Sequence, residues 1–154
     1  DGAIIGQMNE QDIVSGRLGQ ETPLEANSDW RIHEVLLASK SLETDGPAAC
    51  IHVHPPYATA MSCEPDLIVC KPIDEAGKEH LGNIVIVDSD SDNEDEYLRQ
   101  IAEALKQCNM KCVVSRGFGV FAVGRTFNEA WKWAAILEHS MQVLMLARQA
   151  GIRV

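Results

Sequence analysis

The sequence predicts an α/β fold in which helices pack on a mixed or antiparallel sheet. Short apolar segments of strand type alternate along the chain with segments whose apolar residues recur at helical spacing. Several strand-type segments follow one another with no helix between them, which disfavours a purely doubly wound parallel sheet. The chain has 154 residues, the length of one ordinary domain, so we expect a single domain over residues 1–154.

Helices are predicted where apolar residues recur at helical spacing behind a capping residue. The predicted helices cover residues 28–40, 57–61, 93–107 and 126–150. Ser28 is a suitable N-cap for the first of them, and Ser91 or Asp92 for the third. Thr126 and Glu129 have the spacing of a capping box, which marks the start of the last and longest helix.

Strands are predicted where short runs of β-branched and apolar residues end at turn residues. These runs cover residues 48–54, 67–70, 84–88, 111–115 and 120–123, and short strands with turns are expected within residues 1–27. Pro55 and Pro56 end the first run at once. Residues 116–119 join the last two runs as a turn, because a β-type segment and not a helix follows their glycines, which excludes a dinucleotide-binding loop.

The composition is acidic and excludes several classes of protein. Lys and Arg number 13 and Asp and Glu number 23, so the formal net charge is −10. Such a surface repels phosphate backbones, which disfavours nucleic-acid binding. No apolar run approaches the roughly 20 residues that a membrane span needs. Residues 88–96 contain many of the acidic residues, and we interpret them as a solvated loop that leads into a helix.

The cysteines and the first residue bear on the cellular compartment. The five cysteines cannot all pair within one chain and form no Cys-x-x-Cys motif, so we interpret them as small buried residues in a reducing cytoplasm. No basic-then-apolar signal segment is present at the start. Because residue 1 is Asp, we expect the sequence to begin inside a longer gene product.

His52 and His54 are the strongest candidates for chemistry. Side chains two apart on a strand share one face, so both imidazoles point the same way at the rim of the sheet. Two neutral imidazoles side by side make half of a zinc site, although two histidines also meet near a surface by chance. Asp29, upstream at the start of a helix, offers a carboxylate, and His33 on the same helix is expected to be structural.

Three segments taken in order resemble the class II aldolase/adducin family, which includes fuculose-phosphate aldolase and ribulose-phosphate 4-epimerase. They are SDWRIH at 28–33, CIHVHPPYATA at 50–60 and VVSRGFGVFAVG at 113–124. The resemblance implies a three-layer α/β/α domain with a mainly antiparallel central sheet, here without the family's N-terminal segment. It also implies a cytoplasmic homo-oligomer, usually a tetramer, with sites at subunit interfaces.

The resemblance assigns roles to four residues. His52 and His54 match the first two histidine ligands of a divalent metal, most often zinc, and Asp29 falls at the position of the acid/base glutamate. Phe118 falls at the position of the third histidine, and a phenyl ring cannot bind a metal. Either Asp29 replaces the missing ligand, giving two histidines and one carboxylate, or the site is dry and binds no metal.

Two functions follow from this resemblance. The first is a metal-dependent lyase or epimerase that acts on a small hydroxy-carbonyl compound, a sugar phosphate in the family, with no nucleic-acid or membrane partner. The second is a non-catalytic oligomerising or binding module, as in the head domain of adducin, whose metal site has been lost. The loops that hold the substrate phosphate lie upstream in the family, so no phosphate-binding residue is assigned.

Overall fold

A computed structural model describes residues 7–89 and 92–153 of the chain. The helices are α1 Trp30–Thr44, α2 Pro56–Ser62, α3 Glu75–His80, α4 Glu94–Gln107 and α5 Phe127–Gln149. The strands are β1 Ala49–Val53, β2 Val69–Cys70, β3 Ile84–Val87, β4 Cys112–Ser115 and β5 Gly119–Gly124. Residues 7–29 contain a short 3-10 helix, Glu10–Asp12, and no strand, so the strands expected there are absent from the described part of that segment.

The five strands form one sheet in the order β1-β5-β4-β3-β2. β1 pairs antiparallel with β5, β5 with β4, and β2 with β3, while β3 and β4 are the one parallel pair among the described strands. The sheet is therefore mixed and mainly antiparallel. The β1–β5 register places His52 opposite Phe121 and Val53 opposite Val120, so β5 forms the backing of the histidine pair.

Helices cover both faces of the sheet and make the three-layer α/β/α arrangement that was expected. Alternate residues of each central strand face opposite layers, which gives two separate apolar cores. One core joins α2 and α5 to the sheet face that carries Val114 and Val120. The other joins α1 and α4 to the face that carries Val113 and Phe121.

The helix starts differ in detail from those predicted. The N-cap of α1 is Asp29 and not Ser28, and its side chain makes no capping hydrogen bond. Asn93 caps α4, where its side chain accepts the backbone N–H of Glu96, so Asp92 is not the cap; Ser91 lies outside the described residues. Thr126 caps α5 as predicted, and its hydroxyl accepts the N–H of Glu129 at 3.2 Å.

Helix α3 was not predicted. It has six residues and contains Gly77, so it presents no extended apolar stripe. The helix packs tightly against α5, because a Cβ on Gly77 would lie 2.3 Å from the hydroxyl oxygen of Ser140 in α5. The capping carboxylate of Asp74, which accepts the N–H of Gly77 at 2.9 Å, was the signal that could have shown it.

All five cysteines are free thiols, and Cys63 alone among them is exposed. Burial raises the pKa of Cys50 to about 12 and that of Cys70 to about 11. These thiols therefore stay protonated and behave as small apolar side chains, as predicted. None of the helices in the described ranges is both long and apolar enough to cross a membrane.

Candidate functional site

The histidine pair lies at the carboxyl end of β1. His52 is the fourth residue of the strand and His54 follows its last residue, so both side chains project on the same face. Their ring centroids are 4.6 Å apart with the ring planes tilted by 56°. The chain then turns away at Pro55, which precedes the first residue of α2. The structure thus brings together the two imidazoles that the His-x-His spacing indicates.

Asp29 joins this pair from the start of α1. Its Oδ2 lies 2.8 Å from Nδ1 of His52, and the two side chains are only 14% and 11% exposed. The hydroxyl of Ser28 donates to the other carboxylate oxygen, Oδ1, at 3.3 Å. A carboxylate on one ring nitrogen holds the proton there and leaves the other nitrogen, Nε2, with a free lone pair.

Nε2 of His52 is buried and has no hydrogen-bond partner in the described structure. It points at Gly119, where a Cβ would lie 2.9 Å from Nε2 and 3.1 Å from Cδ2 of His54. Gly119 also has a φ of +137°, a conformation that residues with a side chain rarely adopt. Only glycine at this position leaves room for the two imidazoles.

Two phenyl rings enclose His52. Phe121 stacks on it at a centroid distance of 4.2 Å with the planes 13° apart. Phe118 lies at 4.8 Å from His52 and 6.4 Å from His54. Phe118 is 37% exposed, so its ring covers the pair from the solvent side.

The side chains around the histidine pair suit a divalent metal, but they supply one protein ligand too few. The fit rests on the buried, unpartnered Nε2 of His52, on the neighbouring imidazole of His54, and on the carboxylate that orients His52 from behind. The shortage is equally plain, because no group of three His, Cys, Asp or Glu side chains within residues 7–89 and 92–153 is arranged to hold a metal. Asp29 is hydrogen-bonded to Nδ1 of His52 and not placed near Nε2. In this conformation it therefore does not serve as the missing third ligand.

The turn that carries Phe118 is held by Arg116. Its guanidinium donates to the backbone carbonyl oxygens of Ser62, Glu64 and Leu67 and pairs with the carboxylate of Asp88. The N–H of Gly117 adds a hydrogen bond of 3.0 Å to the hydroxyl of Ser62. Sequence reasoning assigned no role to Arg116, because its partners are mostly backbone groups of a distant loop.

A cavity of about 450 Å³ opens beside Asp29 and Phe118, between the starts of α1 and α4. We call it the α1–α4 cavity, and its lining residues are Ser28, Asp29, Ile32, Ser89, Glu94, Tyr97, Leu98 and Phe118. The hydroxyl of Tyr97 lies 2.8 Å from that of Ser115, and burial raises the pKa of this phenol. The sequence analysis missed Tyr97, because a single tyrosine on an amphipathic helix is indistinguishable from a core residue.

His33 lies behind the pair and not in it. Its ring meets the edge of Phe121 at a centroid distance of 5.6 Å, on an element that packs against the sheet. Burial lowers the pKa of this imidazole. Its contacts agree with the supporting role that was expected.

Comparison with known protein families identifies the class of protein to which this fold belongs. The chain belongs to the family described as the class II aldolase and adducin N-terminal domain, whose sequence model matches residues 2–145. This confirms the resemblance to class II aldolases and adducin. No protein of curated function matches the chain significantly.

Solved structures share the fold. The L-fuculose-1-phosphate aldolase of Thermus thermophilus is similar with a TM-score of 0.75 and 24% identity, over 94% of this chain and 73% of that one. The Escherichia coli protein YgbL is similar with a TM-score of 0.62 and 19% identity, over 77% of this chain and 56% of its own. A further L-fuculose 1-phosphate aldolase has a TM-score of 0.61 and 19% identity, over 82% of this chain and 56% of that one. These likenesses establish the three-layer fold.

Proposed function

We propose that the chain is a metal-dependent lyase or epimerase of the class II aldolase type, acting on a small, sugar-like hydroxy-carbonyl compound. The observation that carries the proposal is the state of His52. The partly buried carboxylate of Asp29 orients its ring at Nδ1, and Nε2 is left buried and unpartnered next to a second imidazole. An unpaired buried nitrogen costs free energy, which a bound ligand at that atom would recover.

His52 and His54 would hold the metal, which is zinc in most of the family. A divalent ion there would polarise a carbonyl oxygen and stabilise the negative charge that develops on it. Asp29 holds the proton of His52 at Nδ1, which keeps Nε2 in the form that can donate its lone pair. Asp29 also lines the α1–α4 cavity, so we assign it the acid/base role at the substrate hydroxyl or carbon that enters there.

The assembly expected from the resemblance is part of this proposal. Class II aldolases commonly form homotetramers in the cytoplasm, and we extend that arrangement to this chain. Phe127 and Trp131 on α5 are 68% and 63% exposed, and Trp131 lines a second cavity of about 480 Å³ together with His54. Such an aromatic surface next to the site is suited to a subunit contact.

The second candidate is a non-catalytic binding module, and Phe118 is the observation that favours it. An aromatic ring where relatives place a histidine removes one of the three protein ligands that catalytic zinc normally has. In that case the histidine pair would serve only to pack the turn between β4 and β5. The two candidates differ in one measurable property, which is metal binding.

The test is zinc titration of the purified protein, followed by competition with a chromogenic chelator. The proposal expects about one zinc ion per chain, and His52→Ala or His54→Ala should each weaken binding at least about tenfold. His80→Ala is the matched control, since His80 contacts Trp133 and lies outside the pair. If zinc does not bind, or if both variants bind it as tightly as the unaltered chain, the enzyme proposal is rejected and the non-catalytic binding module remains.

A further inference from the structure

Two cysteines away from the histidine pair are in direct contact with each other. Sγ of Cys108 lies 3.8 Å from Sγ of Cys112, and both residues are 0% exposed. They belong to the core on the α5 side of the sheet, so apolar side chains surround them. Among the described residues this is the one contact between two thiols. Small movements of the two side chains would bring the sulfurs to the distance of a disulfide bond.

The backbone holds the two cysteines in this contact. Cys108 is the C-cap of α4, and Cys112 is the first residue of β4. The residues between them form a tight turn, in which the N–H of Lys111 donates to the carbonyl oxygen of Cys108 at 3.1 Å. Asn109 and Met110, the central residues, have φ values of +51° and +56°, the signature of a type I′ turn. Because a helix and a strand anchor its two ends, the turn keeps the thiols together.

The turn is held in a backbone conformation that its sequence does not favour. The second central position of a type I′ turn is usually glycine, and here it is Met110. The N–H of Met110 donates to the carbonyl oxygen of Leu105 at 2.9 Å. The side-chain amide of Asn109 donates to the carbonyl oxygen of His80 at 3.3 Å. A strained conformation that neighbouring elements maintain in this way is a reason to look for a function of the residues it brings together.

The two thiols of the pair are not equivalent. The hydrogen bond from the thiol of Cys112 lowers the pKa of Cys108, and the positive charge of Lys111 acts in the same direction, against the effect of burial. The same hydrogen bond, together with burial, raises the pKa of Cys112. The thiolate is the form of cysteine that attacks an oxidant. Cys108 is therefore suited to be the nucleophile, and Cys112 to be the partner that closes the disulfide.

The residues that join the two cysteines reach the surface. Asn109 is exposed, and Met110 and Lys111 are half-buried. Local opening of a short surface segment costs much less free energy than unfolding of the whole domain. A small oxidant such as hydrogen peroxide is suited to reach a pair of thiols that lies beneath such a turn.

We infer that Cys108 and Cys112 form a reversible oxidation site, which hydrogen peroxide closes to an intramolecular disulfide and a thiol reductant reopens. The sulfur of Cys108 attacks one oxygen of the peroxide and the O–O bond breaks, which leaves a sulfenic acid and releases water once the thiol proton is taken up. The sulfur of Cys112 then attacks the sulfenic sulfur, the S–S bond forms, and a second water leaves. The two thiols lose two electrons and two protons, and one peroxide is reduced to two waters. Disulfides in reducing compartments are usually transient ones of this kind.

The sequence offers a direct test, because trypsin cleaves after Lys106, Lys111 and Arg116 and so cuts between the two cysteines. Peptides 107–111 and 112–116 stay joined only if a disulfide links them. The full chain with Cys63→Ser, which removes the exposed thiol, is treated with hydrogen peroxide while folded. The protein is then unfolded, its remaining thiols are blocked with N-ethylmaleimide, and the tryptic peptides are identified by mass spectrometry. We expect the joined peptides to accumulate and dithiothreitol to separate them.

Cys50 and Cys70 are matched controls in the same sample, because each is a buried thiol without a second cysteine in contact. They should be oxidised at least about tenfold more slowly than the pair. The inference is overturned if the joined peptides do not form, if they form only in unfolded protein, or if Cys50 and Cys70 are oxidised equally fast. A stable sulfinic acid at Cys108 would also overturn it, because Cys112 would then have failed to capture the sulfenic acid.

Two variants test the order of the steps. Cys112→Ser keeps the nucleophile and removes its partner, so peroxide treatment followed by unfolding in dimedone should label a sulfenic acid at Cys108. Cys108→Ser should leave Cys112 unlabelled. Labelling of Cys112 and not of Cys108 would overturn the assigned order. If either variant does not fold, the joined peptides from the chain that retains both cysteines decide the inference.

Discussion

Phe118 lies in the turn between β4 and β5 with its ring 4.8 Å from that of His52 and 6.4 Å from that of His54. A side chain at those distances is close enough for a nitrogen in its place to face the same ion as the two imidazoles. The resemblance to the family places its third histidine ligand at residue 118. The distances to both imidazoles make that correspondence testable by a single substitution.

Phe118→His should raise zinc affinity at least about tenfold, because it adds the third nitrogen ligand that catalytic zinc sites normally contain. Chelator competition measures the gain. Phe127→His, on an exposed position of α5, is the control and should leave the affinity unchanged. An affinity equal to that of the unaltered chain would contradict the position that the structure gives residue 118.

Gly119 is the second residue on which the pair depends. Gly119→Ala should lower the free energy of unfolding by about 2–3 kcal/mol, since it combines a φ of +137° with a Cβ only 2.7 Å from the carbonyl oxygen of Val53. Urea denaturation measures the change. Gly46→Ala is the control, because nothing there lies closer than 3.8 Å and its φ is outside the glycine-favouring range. A loss no larger than in the control would show that the turn relaxes freely.

At the scale of the elements, the site depends on where β1, the β4–β5 turn and the start of α1 meet. Arg116 ties the turn to residues 62–67 through three carbonyls and to Asp88 beyond β3. Its side chain is 18% exposed, so these bonds are made largely out of water. A partly buried guanidinium with several acceptors contributes more than a surface ion pair does.

Arg116→Met should therefore lower the free energy of unfolding by about 3 kcal/mol, since it leaves partly buried carbonyls without a donor. The control is Arg99→Met, which removes an exposed pair with Glu96 on α4 and should change stability far less, because solvent screens exposed ion pairs. Denaturant titration compares the two. Equal and small losses would mean that water replaces the guanidinium at no cost.

The sequence predicts helices and strands well where the spacing of apolar residues gives a clear pattern. The helices that became α1, α4 and α5 and all five strands were assigned within a few residues, because apolar spacing marks them. Helix α3 was missed since six residues with a glycine carry no periodic signal. The N-cap of α1 was placed one residue early, at Ser28, because serine and aspartate cap equally well.

For the candidate site, the sequence predicts which residues share a face and not what each atom binds. The His-x-His spacing places His52 and His54 together, and the resemblance adds Asp29 and Phe118. Neither shows that Asp29 binds Nδ1 of His52, because that contact joins residues 23 positions apart. The Tyr97–Ser115 bond and the bonds of Arg116 are equally tertiary and have no local signature.

At the scale of the whole molecule, a net charge of −10 is distributed unevenly over a fold with two separate cores. Each core belongs to one layer of helices, and Phe121 lies in the core of α1 and α4 directly beneath His52. His33 extends this aromatic contact into the same core. The histidine pair is therefore supported by the layer of helices that also contains His33, a half-buried imidazole that can take up a proton.

Stability should fall with acid through His33. Burial lowers its pKa below the ordinary value of about 6.5, so as the pH falls below that value the unfolded chain binds a proton before the folded chain does. The free energy of unfolding then decreases as the pH falls through about 6.5 and below, with a slope of a fraction of one proton.

Chemical denaturation at stepped pH measures this slope. His33→Gln should reduce this slope. A slope that is the same in the variant and in the unaltered chain would contradict the contribution of His33.

Arg116 bonds the end of α2 and the loop that follows it through main-chain oxygens, at Ser62, Glu64 and Leu67. The bonds of Arg116 therefore depend on the length of that loop and not on the side chains of Glu64 and Leu67. One residue inserted there would shift the carbonyl oxygens that hold Arg116. It would thereby displace the turn beside the imidazoles, although the loop itself has no catalytic residue. As far as Arg116 is concerned, exchange of these two side chains should cost less than a change in the length of the loop.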